Sequence, residues 1–433
     1  MNNVSISSER LEQRPARGLK VVFFNPGGGL GGGERSLLDL IGGLKLARPG
    51  WVYTVVAAAP GPFVELARQA GCEVLTLPLP RSLARLGDSE LAKSGRFSSI
   101  HKLARLMPML RAGPETAAYL WRLRRLFADL KPDLIHSNGL KGHLLTAWTA
   151  PGKIPVIWHI RDYVSPRPLV APLLRASAFR CAATITNSRS VAEDAGRSLT
   201  RRVPIVTAYD AVDLDQFLPD GSIADLDALS GLAPPDEPVV RIGLLGTFAK
   251  WKGHQVLFRA LAGLPRDPGW RAYVVGDAVY ETGGSQFSRD ALERMAADCG
   301  VPADRLGFAG FVAQPEMAFR ALDIVVHAST QPEPFGRVIV EGMACAKAVI
   351  VSSAGGAAEL VVDGQNAVAY PPGDDKALAA RLIELLRDPE LRSSLGAAGH
   401  AYSRRFGFSR IEADILPVYR AVLGTVLGPE ACA

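Results

Sequence analysis

Glu333 and Glu341 stand eight residues apart in a segment whose pattern changes from loop to helix. Glu333 lies between Pro332 and Pro334, and two prolines so close together exclude a helix interior or a central strand. From Phe335 onward the run is apolar and free of proline, which predicts a helix. Glu333 would then precede a helix N-terminus, and Glu341 would follow about two turns in. A carboxylate beside free backbone N–H groups suits a ligand rich in hydroxyls and phosphates.

Two turns that contain glycines follow apolar runs. One spans residues 27–34, between an apolar run and a helical pattern over 34–46, and its backbone N–H groups could approach an anion. The other spans 246–253 and ends on Lys252-Gly253. The first turn is not that of a dehydrogenase, because the second strand ends in Ala59-Pro60 without the acidic residue that holds a nicotinamide ribose.

The elements that must position these residues form two series of strands that alternate with helices. Apolar runs predict strands at 19–24, 51–59, 133–137, 156–159 and 183–187, and again at 239–246, 272–276, 306–312, 324–328 and 349–352. Such strands, alternating with helices, predict parallel sheets covered on both faces. The sequence therefore predicts an α/β protein with two doubly wound domains, whose ligands bind at the carboxyl ends of strands and in the cleft between domains.

In this order, the motifs resemble the GT-B retaining glycosyltransferases with a Glu-x7-Glu motif (glycosyltransferase family 4, group 1 type). Besides the two glutamates and the two glycine-rich turns, segments 212–217 and 388–391 resemble the family's inter-domain segment and a C-terminal helix start. The resemblance covers roughly residues 19–425. It implies the GT-B fold, in which two Rossmann-like domains face a central cleft.

This resemblance and the strand pattern together divide the chain into five segments. These are a disordered tail at 1–18, an acceptor-binding Rossmann-like domain at 19–212, a linker at 213–237, a nucleotide-sugar-binding Rossmann-like domain at 238–407, and a helix at 408–433 that returns to the N-terminal domain.

The resemblance also implies roles for single residues. Its catalytic residues would be Glu333 on the sugar, Lys252 on the diphosphate, and His159 near the transferred sugar. Glu341 would hold the nucleotide ribose. The other donor-binding residues would be Phe335, Gly336, Arg337, Thr247, Lys250, Gly310, Phe311, Val312, Gly32 and Gly33, and the acceptor contacts would be Arg161 and Asp162.

One position departs from the family pattern. Thr247 stands where the family usually has an arginine, and a neutral hydroxyl cannot replace a guanidinium fork. Either Lys250 or Arg337 supplies the missing charge, or diphosphate binding is weaker than usual in the family. Arg337 is the preferred candidate because it stands at the expected helix start.

No metal or other cofactor is expected. Two segments match the Asp-x-Asp pattern that metal-dependent glycosyltransferases of another fold use. They are Asp213-Leu214-Asp215 and Asp225-Leu226-Asp227, and both lie in the predicted linker. Cationic side chains and helix N-termini can stabilise a leaving diphosphate without a metal. The five cysteines lack CxxC spacing, which favours reduced thiols over a zinc site or a disulfide framework.

Positive charge is concentrated in residues 81–131, where eleven basic residues face four acidic ones in a chain of net charge +6. Within this segment, residues 97–107 have an amphipathic helical pattern. Such a helix could lie on an anionic membrane surface or pack on its own domain, and no nucleic-acid-binding motif accompanies the charge. The first 18 residues lack an apolar signal core and no apolar run reaches the roughly 18–20 residues of a membrane span, so we expect a cytoplasmic protein, peripheral on the inner membrane face if the helix binds lipid.

The resemblance implies an enzyme that moves a hexose-type sugar from a nucleoside diphosphate sugar to an acceptor hydroxyl with retention of configuration. The acceptor would be a glycan or a lipid-linked molecule in cell-surface glycan or glycolipid assembly. Two alternatives remain open: a GT-B sugar-nucleotide epimerase, which needs no acceptor, and a catalytically silent nucleotide-sugar-binding protein.

Overall fold

The computed structural model describes residues 18–84, 113–199, 203–279 and 284–427. Within the described residues, the first half of the chain forms a parallel sheet. Its strands are β1 Lys20–Asn25, β2 Val52–Ala57, β3 Glu73–Thr76, β4 Leu134–Asn138, β5 Val156–Ile160, β6 Cys181–Thr186 and β7 Ile205–Thr207. They lie in the order β3-β2-β1-β4-β5-β6-β7, so the chain winds outward from β1 in both directions.

The second half repeats this arrangement. Its strands are β8 Val240–Leu245, β9 Trp270–Val275, β10 Leu306–Gly310, β11 Ile324–His327, β12 Ala348–Ser352 and β13 Val368–Tyr370. They are again parallel and lie in the order β10-β9-β8-β11-β12-β13. The two sheets confirm the predicted α/β fold with two Rossmann-like domains.

Helices connect the strands and cover the sheets. They are α1 Gly32–Ala47, α2 Pro62–Gln69, α3 Arg81–Ala84, α4 Gly113–Leu130, α5 Leu140–Thr149, α6 Val170–Ser177, α7 Arg189–Ser198, α8 Leu226–Ser230, α9 His254–Ala262, α10 Arg289–Asp298, α11 Pro315–Arg320, α12 Arg337–Ala344, α13 Asp375–Arg387, α14 Pro389–Ser403 and α15 Leu416–Leu427. Short 3-10 turns occur at Ala178–Arg180, Lys250–Lys252, Ala303–Arg305, Gly356–Leu360 and Arg404–Phe406, and a π-helical turn occurs at Ile411–Ile415. Of the helices in the described ranges, none has the length and apolarity that a membrane span requires.

The N-terminal sheet is buried on both faces. Successive residues of a strand point to opposite sides, so Val21 and Phe23 of β1 pack with α1, α2 and α15, whereas Val22 and Phe24 pack with α4 to α7. Both faces exclude water, which explains why the central strands are continuous apolar runs in the sequence.

The last helix belongs to the N-terminal core. After α14 the chain crosses back, and its π-helical turn and α15 pack against α1 and the N-terminal sheet. Tyr419 of α15 is fully buried, with its hydroxyl 2.7 Å from Nδ1 of His136 and its ring stacked on Trp51. The two connections between the domains meet where the Val212 N–H donates to the Phe406 carbonyl at 2.8 Å.

The segment 213–237, predicted as a linker, is packed largely against the C-terminal domain. Phe217 meets the ring of Phe319 edge-on, with 5.9 Å between centroids. Asp227 at α8 is buried, and its carboxylate accepts hydrogen bonds of 2.6–2.7 Å from three side chains of that domain: Arg241, Arg271 and Tyr273. The polar composition that suggests a linker therefore includes a buried acceptor whose partners are distant in sequence.

Two predicted features lie outside the described residues. These are the N-terminal tail, apart from residue 18, and the amphipathic helix at 97–107. The described part of the basic segment is confined to 81–84 and 113–131.

Replacing Asp227 by alanine should destabilise the C-terminal domain, because three donors lose one shared, buried acceptor. We expect the free energy of unfolding to fall by about 2–4 kcal/mol, as for one partner removed from a buried, hydrogen-bonded charge pair. Urea unfolding at about pH 7 measures the difference. Asp220→Ala, at an exposed position, is the control and should change the unfolding free energy by less than about 0.5 kcal/mol.

The same difference should depend on pH. Burial alone would raise the pKa of Asp227, but the Tyr273 hydroxyl and the Arg271 guanidinium hold it below its usual value. A carboxyl with a lowered folded pKa stabilises the fold above its unfolded pKa, so this contribution should be lost as the pH falls below about 4. If the free energy of unfolding of wild type does not exceed that of Asp227→Ala at neutral pH, or if the difference grows on acidification, the ionised Asp227 carboxylate does not stabilise the fold in this way.

Candidate active site

Glu333 lies in the loop between β11 and α12, as its flanking prolines predict. The helix begins later than expected, because Gly336 adopts a φ of 98° and serves as its N-cap. This left-handed conformation favours glycine. Arg337 is therefore the first helical residue, and Glu341 follows about one turn in rather than two.

The Glu333 carboxylate is buried and meets three side chains through one oxygen, Oε2. Lys252 donates to it from Nζ at 2.8 Å, Ser329 donates from Oγ at 2.7 Å, and Nε2 of His327 lies at 3.2 Å. Burial alone would raise the pKa of Glu333, but the Lys252 ammonium and the His327 ring more than offset burial and hold it well below its usual value. Glu333 is therefore a fixed negative charge at the carboxyl end of the C-terminal sheet.

A close approach of two backbones brings Lys252 to this carboxylate. Lys252 ends the 3-10 turn after β8, and Gly253 follows with a φ of 78°. A Cβ at Gly253 would stand 1.7 Å from the carbonyl oxygen of Ala328, so no larger residue fits between the β8 loop and the end of β11. Lys252 also lies over the ring of Trp251, with 4.1 Å from Nζ to the centroid.

Glu341 holds Arg337 rather than standing alone. Nε and Nη2 of Arg337 lie 3.1 and 3.0 Å from Oε1 of Glu341, and Nη2 lies 2.7 Å from Oδ2 of Asp39 in α1. Although burial opposes it, these two carboxylates raise the pKa of Arg337. Arg337 is thus a permanent cation between the domains, and its role as the substitute for the missing arginine at Thr247 stays a prediction.

The remaining predicted donor residues differ in their surroundings. Thr247 is half-buried just after β8, and Lys250 is exposed, with Nζ 5.6 Å from the centroid of the Phe287 ring. Phe335 is only 2% exposed and packs against Tyr209 and Phe406, so its ring belongs to the core.

Of the predicted donor-binding residues, Gly310 ends β10, and Phe311 and Val312 follow it at the same edge of the sheet. Gly310 has a φ of 70°, its carbonyl accepts from the Gly276 N–H at 2.8 Å, and the Phe311 side chain is 53% exposed. Val312 is half-buried. An exposed aromatic ring at the carboxyl edge is available to a planar ligand.

The first glycine-rich turn opens α1 on the other side of the cleft. Glu34 accepts from the Gly31 N–H at 3.0 Å, which caps the helix start from within. Gly32 and Gly33 occupy the first turn, and a Cβ at either would meet nothing within 4 Å. The first N–H groups of a helix have no partner within the helix, and an anion is stabilised at this end.

His159 and Arg161 lie in a buried polar network of the N-terminal domain. Nδ1 of His159 is 3.1 Å from both Nε2 of His136 and Nη2 of Arg161, and Arg161 is ion-paired with Asp210. Burial and the nearby Arg161 guanidinium hold the pKa of His159 well below its usual value, so the ring is neutral. Arg161 donates only, so Nδ1 of His159 accepts and its proton sits on Nε2.

Asp162 forms an ion pair with Arg167. The predicted acceptor contacts of Arg161 and Asp162, and the catalytic role of His159, stay predictions. What the structure adds is that Arg161 is committed to Asp210, a partner 49 residues along the chain.

The contacts that Glu359 makes between the domains have no signal in the sequence spacing. Glu359 accepts from the backbone N–H of Ser190 at 2.8 Å and from Tyr209 at 2.7 Å, so a C-terminal-domain carboxylate caps the N-terminus of α7. Sequence spacing also gives no indication of Asp39 as the partner of Arg337, or of His327 and Ser329 as partners of Glu333. His327 and Ser329 do carry one clue, since they are polar residues at the end of an apolar strand just before Glu333.

Two family models match the chain in tandem. One, described as "Glycosyl transferases group 1", matches residues 233–402, and the other, "Glycosyl transferase 4-like domain", matches residues 31–209. The first covers the C-terminal sheet, and the second covers most of the N-terminal sheet.

Curated relatives match over variable lengths. D-inositol 3-phosphate glycosyltransferase of Xylanimonas cellulosilytica is 32% identical over 296 residues, which is 66% of each chain. Phosphatidyl-myo-inositol mannosyltransferase of Mycolicibacterium smegmatis is 27% identical over 370 residues, 83% of this chain and 88% of that protein. This chain spans 48% to 66% of the length of five curated relatives.

Among solved structures, Anabaena Alr3699/HepE in complex with UDP is similar with a TM-score of 0.72 and 26% identity, covering 93% of this chain and 100% of that chain. The same protein in complex with UDP-glucose gives a TM-score of 0.73 at 25% identity, covering 93% and 99%.

Replacing Lys252 by methionine should destabilise the protein, because the buried Glu333 carboxylate loses its cation. We expect a loss of about 2–3 kcal/mol in the free energy of unfolding by urea, below the range for fully buried pairs because Lys252 is partly exposed. Adding Glu333→Gln removes the unpaired charge, so the double variant should be more stable than Lys252→Met alone. The exposed Lys376→Met is the control. If Lys252→Met is as stable as wild type, or if the double variant is no better than the single, the ion pair does not have this role.

Proposed function

Since this chain belongs to the glycosyl transferases group 1 family, we propose that it transfers a sugar from a nucleoside diphosphate sugar to an acceptor hydroxyl with retention of anomeric configuration. The sequence predictions of the family and of the GT-B fold are confirmed. What we propose beyond these two points is the donor, the stereochemical course and the acceptor.

One observation carries the proposal: a buried, ionised carboxylate, Glu333, with the Lys252 ammonium 2.8 Å away. Cleavage of a bond from the anomeric carbon to phosphate develops positive charge on the sugar ring and negative charge on the diphosphate. A fixed carboxylate next to a fixed ammonium matches both charges, and preorganised charges stabilise a transition state without reorganisation during the reaction.

The proposed step forms one carbon–oxygen bond, breaks one, and transfers one proton. The acceptor oxygen bonds to the anomeric carbon on the face from which the diphosphate departs. The electrons of the broken bond go to the diphosphate, and the acceptor proton passes to the departing phosphate oxygen. Lys252 and the N–H groups of Gly32 and Gly33 would bind the diphosphate, and Glu333 would face the sugar. Neutral His159, with its proton on Nε2, is suited to donate a hydrogen bond and not to act as the base.

A uridine nucleotide is the first donor to try. Anabaena Alr3699/HepE, similar over 93% of this chain, is known in complex with UDP and with UDP-glucose. The exposed Phe311 ring beside Gly310 is the group we assign to the base, and Glu341 the group we assign to the ribose.

For the acceptor we propose a glycan or a lipid-linked molecule at the cytoplasmic membrane face. Support comes from the names of two relatives, phosphatidyl-myo-inositol mannosyltransferase and the lipopolysaccharide core glycosyltransferase LpsE of Rhizobium meliloti. It also comes from the basic segment 81–131, whose described part includes the exposed Arg122, Arg124 and Arg125 on α4.

The donor proposal is tested with purified protein and a panel of nucleotide sugars, by following release of nucleoside diphosphate with and without candidate acceptors. Glu333→Gln should lower kcat by about 100-fold or more, the scale for loss of one charge contact to a transition state, while the affinity for UDP changes little. Glu390→Gln, exposed on α14, is the control. Turnover of Glu333→Gln close to wild type would remove Glu333 from the chemistry.

Two other outcomes of this assay would reject transfer as the activity. Interconversion of the donor sugar without an acceptor would identify an epimerase. Tight nucleotide binding without turnover on any acceptor tried, in wild type and Glu333→Gln alike, would identify a binding protein.

The membrane proposal predicts that the protein sediments with anionic vesicles and not with zwitterionic ones, and that salt weakens the binding. Each basic residue near an anionic surface contributes about 1 kcal/mol, so a Lys102→Ala/Arg105→Ala double variant should bind at least about tenfold more weakly. Lys376→Ala/Arg387→Ala, on the C-terminal domain, is the charge-matched control. Equal sedimentation with both vesicle types, or no loss in the Lys102/Arg105 variant, would favour a soluble acceptor.

A further inference from the structure

Arg337 joins three parts of the molecule through one guanidinium group. It is the first residue of α12 in the C-terminal domain, where it holds Oε1 of Glu341. From the N-terminal side, Nη2 meets Oδ2 of Asp39 at 2.7 Å, and Nη1 donates to Oγ of Ser36 at 3.3 Å and to the carbonyl of Ala211 at 3.2 Å. The N-terminal domain therefore fixes the orientation of a C-terminal-domain side chain.

The contacts between Arg337 and Glu341 involve one of the two carboxylate oxygens of Glu341. Both nitrogens of Arg337 that reach Glu341, Nε and Nη2, meet the same atom, Oε1. An arginine and a carboxylate left to themselves favour the parallel arrangement, in which two N–H groups occupy both oxygens. Nη2 of Arg337 is instead shared with Asp39, and the guanidinium does not rotate into that bidentate pair.

We propose that Asp39 is a positioning residue for donor binding: by holding Arg337 from the opposite domain, it keeps Oε2 of Glu341 available to the ribose hydroxyls of a ribonucleoside diphosphate. This inference rests on the proposed function, in which Glu341 binds the ribose. It adds that a residue of the acceptor-binding domain sets the affinity for the donor and its preference for ribose over deoxyribose.

Charge balance predicts what happens without Asp39. The ion pairs of Arg337 are with two carboxylates, Asp39 and Glu341. Neutralising Asp39 leaves Glu341 as the charged partner of Arg337 among these two. Arg337 then gains by taking both carboxylate oxygens, and the ribose hydroxyls lose their acceptor.

The test compares UDP with 2′-deoxy-UDP by calorimetry, on the full chain. Hydrogen bonds to a charged group are strong enough that wild type should bind UDP about tenfold or more tightly than the deoxy analogue. In Asp39→Asn the affinity for UDP should fall about tenfold, the affinity for 2′-deoxy-UDP should change little, and the preference should approach unity. Asp129→Asn, an exposed carboxylate of α4 that lies 3.8 Å from Arg125, should keep the wild-type preference.

A second variant protects the test against misfolding of the first. Arg337→Lys keeps the charge, but a single ammonium cannot occupy both oxygens of Glu341 as a guanidinium fork can. The Asp39→Asn/Arg337→Lys double variant should therefore regain the preference for UDP that Asp39→Asn loses, because no guanidinium is left to cover Oε2 of Glu341.

The outcomes separate this inference from the proposed function. If Asp39→Asn weakens UDP and 2′-deoxy-UDP by the same factor or leaves the preference unchanged, or if the double variant does not regain the preference, Asp39 is a packing contact and the inference is wrong. If wild type binds UDP without discriminating against the deoxy form, the ribose role of Glu341 is wrong, and the inference fails with it. If wild type binds none of UDP, GDP and ADP, the proposed function itself fails.

Discussion

A charge removed from water must find an opposite charge, and in this molecule the candidate site depends on that constraint at Glu333. Its carboxylate is buried, and the Lys252 ammonium that stabilises it comes from a loop 81 residues away. The two loops can meet only because Gly253 lets the backbone pass against the end of β11. On the other side Gly355 allows a similar approach, since a Cβ there would stand 2.8 Å from the Glu333 carbonyl oxygen and 2.2 Å from the Tyr163 hydroxyl. Glycines at these two places thus determine where the charge pair forms.

The N-terminal domain follows the same constraint with more members. Asp210 pairs with Arg161, Arg161 contacts His159, and His136 connects that ring to Tyr419 on the last helix. Each of these groups is hydrogen-bonded inside a hydrophobic core, and a buried polar network of this kind specifies one arrangement because any other leaves groups unpaired. The orientation of the predicted catalytic histidine is therefore set by residues from three different elements.

Prediction from the sequence succeeds where the determinant is local. The central strands are recognisable because burial on both faces makes them continuous apolar runs. The strands β3, β7 and β13 lie at sheet edges and are short, and β3 and β7 are only partly buried, so their sequences carry no such run. Glu333 and Lys252 could be proposed as site residues because the motif of each is contiguous, whereas the 2.8 Å contact between them is not visible in the sequence.

The partners of the predicted residues Arg337 and Arg161 could not be found in that way. Asp39 meets Arg337 across almost 300 residues, and Asp210 meets Arg161 across 49. Spacing along the chain says nothing about which distant charges converge. The late start of α12 has a local cause, which is the left-handed conformation of Gly336. A glycine after a phenylalanine does not by itself indicate a helix cap in the sequence.

The return of the chain to its first domain gives the molecule a mechanical property. Two separate stretches of backbone connect the domains, one on either side of the hydrogen bond between Val212 and Phe406. A single cut in either connection therefore leaves the two halves joined. The N-terminal half cannot be excised as residues 19–212 without exposing the surface that α15 covers, so the domain that forms first along the chain is completed last.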